Sequence, residues 1–145
     1  MKIRQAKTSD AAHCARISPI RTADELKKLL KQNETKWLVI EDDNGKVVGL
    51  GIIHLWAWNK MAWIWDLTVD YSERGKGYGT ALLKGMLKAA KKGGARVMMD
   101  FGPSNPHDCS LCELLVYNGF RVCGMNDRWF AGHKETTAVF YGYDL

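Results

Sequence analysis

The sequence predicts a mixed α/β fold, an α+β mixed sheet in which antiparallel hairpins precede a β-α-β unit. The turn sequence Asp42-Asp43-Asn44-Gly45 separates two apolar, strand-like runs. Residues 81–92 have the apolar spacing of an amphipathic helix, and they lie between two further strand-like runs. Apolar residues make up 46% of the 145 residues and charged residues 26%, which is ordinary for one globular domain. We therefore expect residues 1–145 to form a single domain.

The elements follow from local signals along the chain. Thr22 and Glu25 form a capping box before the second helix, Pro19 ends the first, and Gly93-Gly94 ends the third. The order is β-α-α-β-β-β-α-β-α-β-β. The strands are predicted at residues 3–6, 36–41, 46–58, 61–69, 96–101, 121–124 (or as far as 130) and 136–143. The helices are predicted at residues 11–17, from 22 to 30 or 31, 81–92 and 108–118.

A glycine-rich loop lies between the fourth strand and the third helix, with the sequence Arg74-Gly75-Lys76-Gly77-Tyr78-Gly79-Thr80. Glycines at alternate positions let a ligand approach the backbone closely, because no Cβ stands in the way. The helix that follows begins with unpaired N–H groups and the positive end of its dipole. Arg74 and Lys76 add cationic side chains. The loop therefore indicates a phosphate site.

Three phosphate motifs can be compared with this loop. A P-loop needs an ordered Gly-Lys-Ser/Thr, which is absent here. A dinucleotide fingerprint needs its third glycine one residue after Gly79, and it normally opens its domain. The motif R-x-x-G-x-G is matched by Arg74, Gly77 and Gly79. With Leu67-Thr68-Val69 before the loop and Gly119-Phe120 after the fourth helix, the chain resembles the GNAT family of N-acetyltransferases over nearly its whole length.

The resemblance implies a GNAT-like acyl-CoA N-acyltransferase fold with acetyl-CoA as co-substrate. The loop N–H groups would hold the pyrophosphate, and the backbone of Leu67 and Val69 would pair with the pantetheine arm and polarise the thioester carbonyl. The strands ending near Val69 and Phe101 would splay apart to admit that arm. The expected cofactor-binding residues are Leu67, Thr68, Val69, Arg74, Gly75, Lys76, Gly77, Tyr78, Gly79, Thr80, Asn105 and Asp108.

Asp66 and Asp100 are the carboxylates expected near the ends of these two strands. An amine must lose a proton before it attacks a thioester, and a carboxylate or a water chain usually takes it. Alternation along the strand places Asp66 on the face of Ile64 and Thr68, where a purely structural role is an equal alternative. Residues 98–105 resemble those of ribosomal-protein N-terminal acetyltransferases, which have a glutamate base at the position of Asp100. The shorter aspartate favours a water relay.

The general acid is the weakest part of the resemblance. Many family members protonate the departing thiolate with a tyrosine at the position of Leu115. Tyr117 lies about 200° further around an ideal helix, so it could serve only if the helix is irregular. A non-catalytic CoA-binding or regulatory module of the same fold is therefore the alternative function. His54 and His107 are further candidates for a base, because histidine titrates near neutral pH.

The tryptophans suggest either packing or an acceptor pocket. Trp56 and Trp58 are predicted to share one strand face, and Trp63 and Trp65 to share the face of a paired strand, which fits cross-strand packing. The same rings would suit a cationic amine or an apolar side chain. Residues 128–130, with the sequence Arg-Trp-Phe, resemble the aromatic loop by which N-terminal acetyltransferases hold peptides.

We expect the acceptor to be a small-molecule amine or a protein N-terminus. The lysines are spread along the chain, so no nucleic-acid partner is expected. No apolar stretch reaches the roughly 18 residues of a membrane span and no signal peptide is evident, so a cytoplasmic location without membrane contact is expected. A zinc site could be drawn from His107, Cys109, Cys112 and Cys123, but a second metal-spaced pair is missing, so no metal is expected. Assembly as a homodimer stays open.

Overall fold

The computed structural model describes residues 1–94, 96–101, 110–127, 129 and 137–145. Its elements confirm the predicted order. The strands are β1 Lys2–Gln5, β2 Thr35–Glu41, β3 Val47–Trp56, β4 Met61–Val69, β5 Arg96–Phe101, β6 Arg121–Asp127 and β7 Thr137–Asp144. The helices are α1 Ala11–Ile17, α2 Ala23–Leu29, α3 Tyr78–Ala90 and α4 Ser110–Tyr117, with 3-10 turns at Thr8–Asp10 and Tyr71–Glu73.

Most element bounds differ from the prediction by one to three residues, and two of these differences bear on the site. Helix α3 begins at Tyr78, within the glycine-rich loop. The residue before it, Gly77, is the N-cap and has a left-handed backbone conformation with φ +85°. The end of the motif is thus the first turn of the helix. Strand β3 ends at Trp56, and residues 57–60 form a turn that closes with Lys60 at φ +53°. Trp58 therefore lies outside the strand.

The strands form one sheet in the order β1-β2-β3-β4-β5-β7-β6. Neighbouring strands are antiparallel except β4 and β5, which are parallel. Pairing between β4 and β5 runs from Met61 opposite Arg96 to Trp63 opposite Met98. Beyond that point the two strands separate, as the resemblance implies. The opening lies at the C-terminal ends of two parallel strands, where α/β sheets place their ligands.

A β-bulge in β4 reverses the predicted orientation of Asp66. Ile52 of β3 lies opposite Asp66, whereas Ile53 lies opposite Ile64, so Trp65 is an additional residue in β4. The prediction that Asp66 shares a face with Ile64 was wrong, because strict alternation ends at the bulge. Asp66 instead shares a face with Thr68, as predicted, and with Ile52.

The sheet has a hydrophobic core on each face. Helices α3 and α4 cover one face, with Leu83, Met86 and Leu115 fully buried among strand residues. Helices α1 and α2 cover the other face, where Cys14 and Leu26 are fully buried against β2 and β3. We call these the α3–α4 face and the α1–α2 face. Within the described ranges, no helix combines the length and the apolar character needed to cross a membrane.

Candidate active site

The N-terminus of α3 is open and has no side-chain cap. Gly77 is its N-cap, and Gly75 two residues earlier also has a positive φ of +77°. No heavy atom would lie within 4 Å of a Cβ added at either position. The N–H groups of the first helical turn have no partner within the helix, and the dipole makes that end positive. The geometry predicted for an anion site is therefore present.

A cavity of about 500 Å³ lies beside this helix end, between the separated ends of β4 and β5. Its lining includes the predicted residues Leu67, Thr68, Val69, Arg74, Gly75, Gly77, Tyr78, Gly79 and Thr80. It also includes Pro19, Glu73, Phe101, Ser110, Leu111 and Leu114, which are not among the predicted cofactor-binding residues. The predicted residues Asn105 and Asp108 lie outside the described residues.

The two cations of the loop have different surroundings. Arg74 lines the cavity, donates from Nε to the carbonyl oxygen of Val69 at 3.3 Å, and lies over the Tyr71 ring at 5.3 Å. Lys76 does not line the cavity. Its Nζ lies 2.8 Å from the carboxylate of Glu73, and this hydrogen bond raises the pKa of Lys76. Arg74 is thus the cation that the structure places at the cavity wall.

Helix α4 contributes an apolar wall. Leu111 and Leu114 line the cavity one turn apart. Leu114 lies close to Gly79, since a Cβ added at Gly79 would be 3.3 Å from Cδ2 of Leu114. The spacing of these leucines is the sequence signal that could have found them. Leu115 is fully buried in the core. Tyr117, the last residue of α4, is 87% exposed and does not line the cavity.

Asp66 is a buried carboxylate whose two oxygens are both partnered. Only 3% of its surface is exposed. Oδ2 accepts a hydrogen bond from Ser18 Oγ at 2.7 Å, and Oδ1 accepts one from Thr68 Oγ1 at 2.7 Å. Ser18 is the C-cap of α1, and Thr68 lines the cavity. Asp66 therefore connects the end of α1 to β4 by a hydrogen bond next to the cavity.

Asp100 lies at the point where β4 and β5 separate. Trp63 Nε1 donates to Asp100 Oδ1 at 2.6 Å, and Trp129 Nε1 donates to Oδ2 at 3.0 Å. Val97 and Met99 belong to the core of the α3–α4 face, so alternation along β5 turns Asp100 toward the opposite face. Each carboxylate oxygen has further lone pairs beyond its indole partner. Asp100 is thus held in place but can accept more hydrogen bonds.

Further aromatic rings pack against the two indoles that bind this carboxylate. Trp56 stacks on Trp63, with 5.7 Å between ring centroids, and Trp58 stacks on Trp56 at 6.4 Å. Phe140, opposite Asp100 in the sheet, meets Trp63 and Trp129 edge-on at 6.1 Å and 5.1 Å. The predicted pairing of the tryptophan strands is confirmed, although Trp58 lies in the turn and is 82% exposed.

His54 lies on the same face and has a defined tautomer. Its ring stacks on Trp65 with 4.3 Å between centroids. Thr35 Oγ1 donates to Gln32 Oε1 at 2.9 Å, so it accepts from His54 Nδ1, also at 2.9 Å. That leaves Nε2 as the acceptor nitrogen. Burial lowers the pKa of His54, and the charge of Glu34 opposes this shift only in part.

The loop after α1 brings a cation to the bulge of β4. Arg21 Nη2 donates to the carbonyl oxygen of Trp65 at 3.4 Å, while its buried Nε has no partner. Among the described residues, no cluster of three or more metal-ligand side chains is found. Of the residues weighed for a zinc site, His107 and Cys109 lie outside the described residues, and Cys112 and Cys123 are free thiols.

The sequence and the fold both match known acetyltransferases. The model of the acetyltransferase (GNAT) family matches residues 4–115. No curated protein matches the sequence. A nourseothricin acetyltransferase has a TM-score of 0.67 at 20% identity, over 77% of this chain and 66% of that one. A ribosomal-protein-alanine N-acetyltransferase from Brucella melitensis has a TM-score of 0.82 at 17% identity, over 100% of both chains. A chimera of the spermidine N-acetyltransferase SpeG from Vibrio cholerae and hSSAT has a TM-score of 0.82 at 16% identity, over 99% of this chain and 96% of that one.

Proposed function

The chain belongs to the GNAT family of acetyltransferases, and we propose that it transfers an acetyl group from acetyl-CoA to a primary amine by direct attack in a ternary complex. Acetyl-CoA is the acetyl donor used by members of this family. The observation that carries the proposal is the open N-terminus of α3, which meets the cavity between β4 and β5. This arrangement places an anion site next to a cavity with apolar walls.

The residues present fit a CoA thioester. The pyrophosphate needs backbone donors and positive potential, which the residues from Gly75 to Thr80 and the start of α3 supply. Arg74 is the side-chain cation at the cavity wall. Phe101, Leu111 and Leu114 are apolar and suit the uncharged pantetheine arm. The open space at Gly75 and Gly77 fits the close approach of a phosphate.

The free edge of β4 would orient the arm. Beyond Trp63, β4 has no β5 partner, so the backbone groups on that edge can pair with an extended ligand as if it were a strand. Leu67 and Val69 lie on this stretch and line the cavity. We assign a backbone N–H here to the thioester carbonyl, because negative charge develops on that oxygen during attack and a fixed donor would stabilise it.

Proton transfer falls to a carboxylate in this proposal. We assign Asp100 as the base that receives the proton of the attacking ammonium, directly or through water, because its lone pairs are not all used. Asp66 is the less suitable of the two, because only 3% of its surface is exposed, whereas Asp100 is partly exposed at the opening. Its role here is to position β4. The assignment leaves the departing thiolate without a dedicated tyrosine.

A non-catalytic CoA-binding module is the second candidate, and one observation favours it. Leu115, at the position of the usual tyrosine, is fully buried, and Tyr117 is exposed to solvent. A thiolate of moderate basicity can leave without an acid. Lack of the tyrosine would therefore slow acetyl transfer without abolishing it. The structural neighbours are named for widely different acceptors: nourseothricin, spermidine and a ribosomal-protein alanine. The shared fold therefore does not identify the acceptor of this chain.

The test is release of free thiol from acetyl-CoA in the presence of small amines, amino sugars and peptides with a free N-terminus. Acetylated product identified by mass spectrometry would support the transferase. Thermal stabilisation by CoA without transfer to any amine would support the binding module instead. If NAD(P) stabilises the protein and CoA does not, the assignment of the loop to CoA is wrong.

A further inference from the structure

We propose that Glu73 makes the glycine-rich loop select a pyrophosphate diester, such as that of CoA, over the terminal phosphates of nucleoside di- and triphosphates. This inference rests on the proposed function, since it names the phosphate ligands that the same anion site would reject. Glu73 is the last residue of the 3-10 turn before the loop. It is an acidic residue at the wall of a cavity whose other features suit anions.

The lysine of the loop is paired with this carboxylate. Lys76 Nζ lies 2.8 Å from Glu73 Oε2, and Glu73 lines the cavity whereas Lys76 does not. The Glu73 side chain is 20% exposed and the Lys76 side chain is 56% exposed, so the ammonium is the end of the pair that faces solvent. An anion in the cavity is therefore closer to the negative end of the pair than to the positive end.

The other cation of the loop forms no ion pair with Glu73 within the described part of the chain. Arg74 donates from Nε to the carbonyl oxygen of Val69, and its guanidinium lies over the Tyr71 ring. The carboxylate thus keeps Lys76 as its counter-ion. Positive potential at the site comes from Arg74, from the N–H groups of the loop and from the start of α3, and the charge of Glu73 opposes it.

This opposition affects phosphate ligands according to their charge. In a pyrophosphate diester each phosphate carries one negative charge, whereas a terminal phosphate loses a second proton near pH 6 and carries nearly two at neutral pH. Each additional charge a few ångströms from a surface carboxylate weakens binding by roughly 3- to 30-fold. A repulsive group can therefore give specificity without contacting the preferred ligand.

The test compares ADP with ADP-ribose, because both contain an adenosine pyrophosphate and ADP alone has a terminal phosphate. Both are titrated into 15N-labelled protein without Mg²⁺ and at fixed ionic strength, and NMR follows the amide signals of Gly75, Gly77 and Gly79. Glu73→Gln should strengthen ADP binding at least about 3-fold more than ADP-ribose binding. An unchanged ratio of the two affinities would overturn the proposal.

Variants of the lysine separate the charge of Glu73 from its hold on Lys76. Lys76→Gln leaves the carboxylate without its counter-ion, so the affinity ratio should shift further toward ADP-ribose. Glu73→Gln should still favour ADP in the Lys76→Gln background, because the repulsion comes from Glu73 itself. Loss of the effect in that background would show that Glu73 acts only by holding Lys76, and it would overturn the proposal.

Asp24→Asn is the matched control. Asp24 forms an exposed ion pair with Lys27, also three residues away, at 3.5 Å, and neither residue lines the cavity. This substitution removes one negative charge and one ion pair, as Glu73→Gln does, and should leave the affinity ratio within about 1.5-fold of wild type. A shift as large as that of Glu73→Gln would show a general charge effect and overturn the proposal.

Titration of CoA into the same variants separates this inference from the proposed function. Glu73→Gln should strengthen CoA binding by a smaller factor than ADP binding. If ADP and ADP-ribose behave as expected but CoA does not bind, the proposed function fails and the role of Glu73 stands. If CoA binds and supports acetyl transfer while the affinity ratio is the same in wild type and Glu73→Gln, the proposed function stands and the inference fails. If none of the three ligands shifts the glycine amides, both fail.

Discussion

Ser18 Oγ donates a 2.7 Å hydrogen bond to Asp66 Oδ2, and this bond joins the end of α1 to the bulged part of β4. Ser18 is 2% exposed and Asp66 is 3% exposed, so the pair is shielded from water. A buried carboxylate is costly unless its oxygens are hydrogen-bonded. The bond therefore fixes the stretch of β4 that carries Leu67 and Val69 at the cavity.

Replacing Ser18 by alanine should destabilise the protein. The change leaves Asp66 Oδ2 buried without its partner, and the expected loss in the free energy of unfolding is about 1–3 kcal/mol. Urea denaturation at neutral pH measures it. Ser72→Ala is a matched control, because Ser72 Oγ donates to Asp70 Oδ1 at 3.0 Å in an exposed turn. The control should stay within about 0.5 kcal/mol of wild type, and equal losses would show that burial of the Asp66 pair adds nothing.

Gly77→Ala should impair CoA binding by more than it impairs stability. Gly77 has φ +85° and Gly45, in the β2–β3 turn, has φ +80°, with open space at both positions. Alanine at either site should cost about 1–2 kcal/mol of backbone strain. Of these two glycines, Gly77 lines the cavity and Gly45 does not. Gly77→Ala should therefore weaken CoA binding by roughly 10- to 100-fold. Calorimetric titration of both variants measures this, and equal affinities would contradict the proposal that the loop binds CoA.

Much of the fold could be predicted from the sequence, because it depends on local signals. The bounds of α1, β4 and β5 were predicted to the residue, since apolar periodicity and flanking turn residues define them. The geometry of the glycine-rich loop could be predicted for the same reason: its glycines and the helix start are adjacent in the chain. What was missed depends on pairing between strands. The bulge at Trp65 changes the face of Asp66, and no local pattern marks it.

Contacts between site residues of distant elements also could not be predicted from the sequence. Pro19 and Leu114 lie 95 positions apart and line one cavity only because α1 ends and α4 begins near the same opening. The two indole hydrogen bonds of Asp100 come from Trp63 and Trp129, and neither spacing suggests them. Tertiary contacts of this kind are set by sheet order and register.

Protein stability should fall at acidic pH through His54. Burial lowers the pKa of His54 in the folded state below the value of about 6.5 in the unfolded chain. The unfolded state therefore binds the proton first as pH falls through 6.5, and stability is lost from there down to the folded-state pKa. NMR titration of the imidazole and urea unfolding at several pH values measure both effects. In His54→Gln the part of the pH dependence due to this residue should be absent. A folded-state value above 6.5 would contradict the prediction.

Cys14 and Cys123 should differ sharply in reactivity. Cys14 is fully buried, and burial raises the pKa of its thiol to about 12, so thiolate is scarce at pH 8. Cys123 is exposed on β6. Mass spectrometry after brief alkylation of the native protein should find Cys123 modified and Cys14 intact, whereas both should react in urea. Equal labelling of the two thiols in the native state would contradict the packing of α1 against the sheet.

Asp100→Asn should lower kcat if Asp100 takes the proton from the amine. The substitution keeps the volume of the side chain and an oxygen that can accept from Trp63 or Trp129, but it removes the basic carboxylate. A positioned base contributes about 100- to 10,000-fold, and a relay through water would place the loss toward the lower end. The variant should also show an altered dependence of kcat on pH, because the group that takes the proton has been changed. The measurement is kcat across pH with a saturating acceptor. Asp43→Asn, in the exposed β2–β3 turn, is the control for a generic loss of negative charge. A variant with reduced kcat but an unchanged pH profile would leave Asp100 as an acceptor-binding group and assign the proton to another base.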